Sequence, residues 1–138
     1  MAHCAQTVIS DIYKVTVGLK AELVEWSGIR QGRMIGGYRF MHGVFYNENA
    51  TRDHAEAFGS VVHAHTHRAA VAKGRRSDSP TGYCVGTLTR MGALEYAKAR
   101  RATMAWSSGF VWGEHTDNSA VLWLHEQPAN VAEWRLPK

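Results

Sequence analysis

Apolar and polar positions change their period several times along the chain, and each change marks an element. Between Ser10 and Trp26 apolar side chains recur at helical spacing, at Ile12, Leu19, Leu23 and Trp26. Ser10 suits an N-cap and Asp11 a first turn, so the pattern predicts a helix that Gly28 ends. The run Val15-Thr16-Val17-Gly18 weakens its middle and allows two pieces. Residues 38–42 alternate apolar and polar, as a strand does, and lead into Met41-His42-Gly43. A second helix is expected from Asn49 or Thr51 to Phe58, with Asp53 in its first turn and Gly59 past its end. Ser60-Val61-Val62-His63-Ala64-His65-Thr66-His67 then begins as a β-branched buried strand and ends polar and rich in histidine.

Turn formers crowd residues 72–82, which predicts a loop there. Residues 83–88 look like another strand. Residues 93–101 have helical composition, with Glu95 and Lys98 three apart. Strand-like stretches follow at 104–106, 110–112 and 120–124. A strand–helix–strand unit followed by a strand-rich half is an α/β or α+β chain. With 138 residues it fits a single domain, in which 1–27 form an N-terminal helical segment.

Composition narrows the classes. Hydrophobic residues at 45% and charged residues at 20% are globular values. No apolar run approaches the roughly 20 residues of a membrane span. The first residues lack a basic segment followed by an apolar one, so no signal peptide and a cytoplasmic location are expected. Two cysteines, Cys4 and Cys84, build neither a disulfide framework nor a cysteine-rich zinc module, and suggest free thiols. The net charge of +4 comes with three basic groups. They are Arg30, Arg33 and Arg39; Arg68, Lys73, Arg75 and Arg76; and Lys98, Arg100 and Arg101. A nucleic-acid or phosphate surface is the functional reading and ordinary solvated surface the plainer one. The second group adjoins His67, which favours a phosphate contact there.

Eight histidines are the unusual count. Side chains two apart in an extended segment share a face, so His63, His65 and His67 point together if the strand continues; if it breaks into a loop at Ala64, His65 and His67 can still converge from a tight turn. His42 ends the preceding strand, and the intervening helix allows a parallel crossover. Open α/β sheets bind ligands beyond the carboxyl ends of their strands, where these histidines would gather. The plain readings are a turn residue for His42 and a core histidine satisfied by backbone for His63. His3, His54, His115 and His125 read as surface or packing residues. Ser107-Ser108-Gly109 lacks the context of a nucleophile elbow, and nothing places a base beside Cys84.

His42-Gly43, a helix, and then a strand ending in Ala64-His65-Thr66-His67 resemble the C-terminal half of the calcineurin-like metallophosphoesterases. That family shows a strand ending in His-Gly, a helix, and a strand ending in Gly-His-Thr-His. The resemblance is strongest over residues 40–68, and its flavour looks like the phage-encoded members. It implies that His42 and His65 ligate one metal of a two-metal centre, that His67 ligates the other, and that Arg68 meets phosphate. The implied cofactor is a divalent metal: zinc, manganese or nickel. The family's earlier motifs, Asp-x-His, Gly-Asp-x-x-Asp and Gly-Asn-His-Glu, do not occur. Residues 28–138 therefore read as the C-terminal half of the fold, from a split enzyme or a remnant. Three histidines can hold one zinc ion, but two cations about 3.5–4 Å apart need a bridging anion. A chain inactive alone is expected, or a metal-dependent phosphoesterase once completed. The exposed sheet edge would need a homo-oligomer, a partner protein or residues 1–26 as cover. The alternative is a small phage-type binding module that inhibits a host defence protein, without catalysis, in the host cytoplasm.

Overall fold

The computed structural model describes residues 14, 17–20, 32–89, 101–127 and 133. The chain divides into two compact units, Met1–Gln31 and Gly32–Lys138. In the first, Lys14, Val17 and Gly18 are helical, and the rest of the expected N-terminal helix lies outside the described residues. So do Cys4, Trp26, Trp134, the rest of the proposed covering segment and residues 93–100 of the third expected helix.

The second unit is mixed α+β and mostly sheet. Its strands are β1 (Arg33–Ile35), β2 (Tyr38–Met41), β3 (Val61–His63), β4 (Ala69–Lys73), β5 (Thr81–Val85), β6 (Gly109–His115) and β7 (Ala120–Glu126). Helix α1 is Ala50–Phe58, and α2 is the single turn Arg101–Met104. Strands β1 to β5 form one sheet in the order β1-β2-β3-β5-β4, and β6 and β7 form a separate hairpin.

The pairing follows from the connections. Gly36 and Gly37, at φ 54° and 80°, make the two-residue turn that joins β1 to β2 antiparallel. Both central residues of that turn type need positive φ, which glycine adopts freely. The β2–β3 connection contains α1, and the two strands lie parallel. Strand β3 also pairs parallel with β5, so it is central, and all three of its residues are buried. Strand β4 closes the far edge, antiparallel to β5.

Helix α1 buries Ala50, Thr51, His54 and Ala55, one face of the helix, against β3, β4 and β5. Strand alternation turns Gly82 and Cys84 toward α1 and Tyr83 the other way. There the Tyr83 hydroxyl donates to the Leu122 carbonyl of β7 at 3.1 Å. The sheet is thus a layer between α1 and the hairpin. On the hairpin Trp112 pairs with Trp123 and their rings stack at 4.8 Å. They remain 41% and 44% exposed.

Two expectations need correction. The predicted loop over 72–82 is shorter, because β4 occupies Ala69–Lys73 and β5 begins at Thr81. The strand-like stretch 104–106 is the end of α2 and the turn after it. Of the two alternatives for the histidine run, the structure has the break at Ala64: β3 stops at His63, where the backbone turns. Among the described residues, no helix is long and apolar enough to cross a membrane.

Candidate metal centre

Strands β2 and β3 run parallel and end side by side, with Met41 opposite His63. The residues just beyond both ends therefore meet. The Ala64 N–H donates to the His42 carbonyl at 2.9 Å and ties the two loops together. A three-residue turn follows, centred on His65 at φ 63° and closed by the Thr66 N–H on the Ala64 carbonyl at 2.7 Å. Turns of this hand are rare and strained. His67 also has positive φ, 56°. Two non-glycine residues in the left-handed region within three positions mark a loop whose conformation is imposed by its surroundings.

That conformation brings His42 Nε2 within 3.1 Å of His65 Nδ1, with the rings edge to face at 5.0 Å. One nitrogen donates and the other accepts. The spacing is also close to that of two nitrogens on a tetrahedral ion with bonds of about 2.0–2.1 Å. His67 packs its ring edge-on against Trp106, centroids 4.4 Å apart, and its Nδ1 is buried without a hydrogen-bond partner. Burial holds the His67 pKa below its ordinary value, and the His65 and His42 rings add to the effect. His67 thus lies within electrostatic reach of the pair.

Two further histidines lie beneath them. His54 and His63 are 0% and 1% exposed and stack at 4.0 Å, nearly parallel. His63 donates from Nδ1 to the Ala64 carbonyl at 3.0 Å, so its Nε2 carries the free lone pair and has no partner. Burial pushes the His63 pKa down to about 4, and the neighbouring His54, His65 and His42 rings contribute. His54 donates from Nδ1 to the Ala50 carbonyl at 2.6 Å, and its Nε2 accepts the Val44 N–H at 2.8 Å. Its pKa is also lowered, chiefly by burial. Cys84, opposite His63 on β5, is a buried free thiol whose Sγ reaches the Ala64 carbonyl at 3.3 Å and Thr66 Oγ1 at 3.2 Å.

Arg68, expected at a phosphate, donates from one guanidinium nitrogen to the carbonyls of Tyr46 and Asn47, at 3.1 and 2.7 Å. It thereby ties the loop after β2 to the loop after β3. Of the other basic residues in that group, Lys73 bonds Thr81, Arg75 bonds Glu56, and Arg76 bonds Asp78 and the Glu56 carbonyl. Arg33 and Arg39 lie on β1 and β2, whereas Arg30, Lys98 and Arg100 lie outside the described residues. His115 and His125 lie on the hairpin, and His3 is outside the described residues.

The donor set fits part of what the resemblance implies. His42 and His65 together offer two imidazole nitrogens to one borderline cation such as zinc or nickel. Among the described residues, no group of three or more His, Cys, Asp or Glu side chains is arranged to hold a metal ion. A two-metal centre therefore needs donors beyond these. No family model, curated protein or solved structure matches the chain.

The sequence reading assigned His54 to surface or packing. Its hydrogen bonds to the loop that carries His42 were not anticipated. The signal was available: His54 shares the Ala50–Thr51–Ala55 face of α1, where a polar side chain needs a partner.

Proposed function

We propose that this chain is a metallophosphoesterase-like half-site, in which His42 and His65 hold one divalent metal and His67 contributes to a second. The carboxylates of the complete centre would come from another polypeptide segment. One observation supports the reading above the others: the 3.1 Å approach of His42 Nε2 and His65 Nδ1 beyond the carboxyl ends of adjacent parallel strands. A bound cation would supply Lewis-acid polarisation of a phosphate ester and of water. The chain's own part is to bring two imidazole nitrogens together from two loops tied by the Ala64–His42 hydrogen bond; the proton that one of them donates to the other would move off that nitrogen as a cation binds. Burial and neighbouring rings favour the neutral form of His67, as a ligand requires.

Cobalt(II) absorption titrations of the purified chain test this. Weak binding is expected, abolished in His65→Ala, with no turnover of an aryl phosphate ester in manganese, nickel or zinc. Failure to bind cobalt or zinc at millimolar concentration would overturn the metal reading and favour the non-catalytic binding module. Metal-dependent turnover by the chain alone would show that the site needs no further segment.

A further inference from the structure

We propose that His54 is a positioning residue, whose buried imidazole holds the Gly43 turn on helix α1 so that His42 meets His65. The inference rests on the metal-site reading only for its effect on metal affinity; the placement of the two rings stands apart from it.

The argument starts from the proton on His54. Nδ1 lies 2.6 Å from the Ala50 carbonyl, one helical turn back, and must donate to it. Nε2 is then an acceptor with its lone pair directed away from the helix. It takes the Val44 N–H at 2.8 Å and the Phe45 N–H at 3.3 Å, the first two amides after Gly43. One side chain on α1 thus caps two consecutive backbone donors of the loop that carries His42. The ring is fully buried, so water cannot replace it.

The turn passes very close over this support. Gly43 has φ 108°, and a Cβ there would sit 3.2 Å from each of His54 Nε2, His63 Nδ1 and His65 Cβ. His63, stacked on His54, donates to the carbonyl that closes the His65 turn. The two buried rings therefore fix the two loops: His54 holds the one bearing His42, and His63 the one bearing His65. Packing alone would not account for His54, since an apolar ring of the same size would fill the space and leave both amides without an acceptor.

Three substitutions separate these roles. His54→Gln can place a carbonyl oxygen near the position of Nε2. His54→Asn reaches only as far as Nδ1, and His54→Phe keeps the ring and loses both polar atoms. Each is measured for folding by urea midpoint, for His42–His65 pairing by imidazole nitrogen NMR, and for cobalt(II) affinity by absorption. Glutamine is expected to retain the pairing and near wild-type affinity. Folded Asn and Phe variants are expected to lose the pairing signature and to bind cobalt about 10- to 100-fold more weakly, the usual effect of removing a residue that orients a ligand. If the Phe variant does not fold, the Gln–Asn contrast decides. A folded Phe or Asn variant with the pairing intact, or a Gln variant that loses it, would overturn the proposal. If the wild-type chain takes no cobalt, the metal reading falls, and the imidazole spectra still decide the role of His54.

Discussion

His63 shows how a single buried ring couples stability to pH. Its pKa is held at about 4, against an ordinary 6.5, chiefly by burial and then by the His54, His65 and His42 rings around it. The unfolded chain binds a proton between those two values and the folded chain does not, so stability rises with pH in that window. Stability is complete above about 6.5 and falls as pH drops toward about 4, by up to about 3 kcal/mol from this group at 1.36 kcal/mol per unit. His54 and His67, also lowered, act in the same direction. Urea unfolding at pH 7.5 and 4.5 checks this; equal midpoints would mean the ring is hydrated or finds a proton acceptor in the native state. At this scale the meeting of His42 and His65 was legible, because both follow the ends of strands joined by a single short helix, His42 before Gly43 and His65 in a run of alternating histidines. For His54 only the need for a partner was legible, from its place on the buried face of α1; which partners it takes was not, because they are backbone amides ten and nine residues away.

At Gly82 the backbones of helix α1 and strand β5 come close together. A Cβ on Gly82 would collide with the Thr51 carbonyl oxygen, which is helix backbone and cannot move aside cheaply. Gly82→Ala should therefore push α1 away from the sheet and lower stability by about 1–3 kcal/mol, as overpacking does. It should also disturb His54, since both His54 and Thr51 lie on the face of α1 that packs here. Circular dichroism melts, followed together with the His54 ring signals, measure both effects; an unchanged melt would place the helix further from the sheet. The β2–α1–β3 unit was read correctly because β2 alternates, β3 opens on the β-branched pair Val61-Val62, and the helix is bounded by Asn49 and Gly59. Strands β1 and β4 were missed for different reasons. Gly36-Gly37 signals a hairpin, but β1 is only three residues long. Ala69–Lys73 is mostly alanine, a weak strand former, and is held by its five-residue register with β5. The stretch 104–106 misled because its apolar residues end a helix turn rather than pair with a strand.

Across the second unit, the Tyr83 hydroxyl on the Leu122 carbonyl is one of the polar points that join the hairpin to the sheet. Tyr83→Phe keeps the ring, including its edge-on contact with Tyr38 at 5.9 Å, and removes that bond. The expected cost is about 1 kcal/mol. Hydrogen exchange should show faster amides in β6 and β7 while β3, central and buried, stays protected. Uniform acceleration would mean that hairpin and sheet unfold as one cooperative block. A mixed helix-and-sheet class was legible from the order of periodic segments, which left α/β and α+β both open. The docking of the hairpin was not, because it depends on contacts such as Tyr83 with Leu122, 39 residues apart.

The Ala64 carbonyl receives three donors, from Thr66 N–H, His63 Nδ1 and Cys84 Sγ, while the Ala64 side chain receives none of them. Ala64 itself has no positive φ; the left-handed residues are His65 and His67. Glycine at 64 is thus not required by the backbone. The turn tolerates drift at this position because a peptide oxygen, present in every residue, organises it. Glycine and alanine are interchangeable here as far as the histidine geometry goes, so the letter at 64 says little about how His42 and His65 are placed.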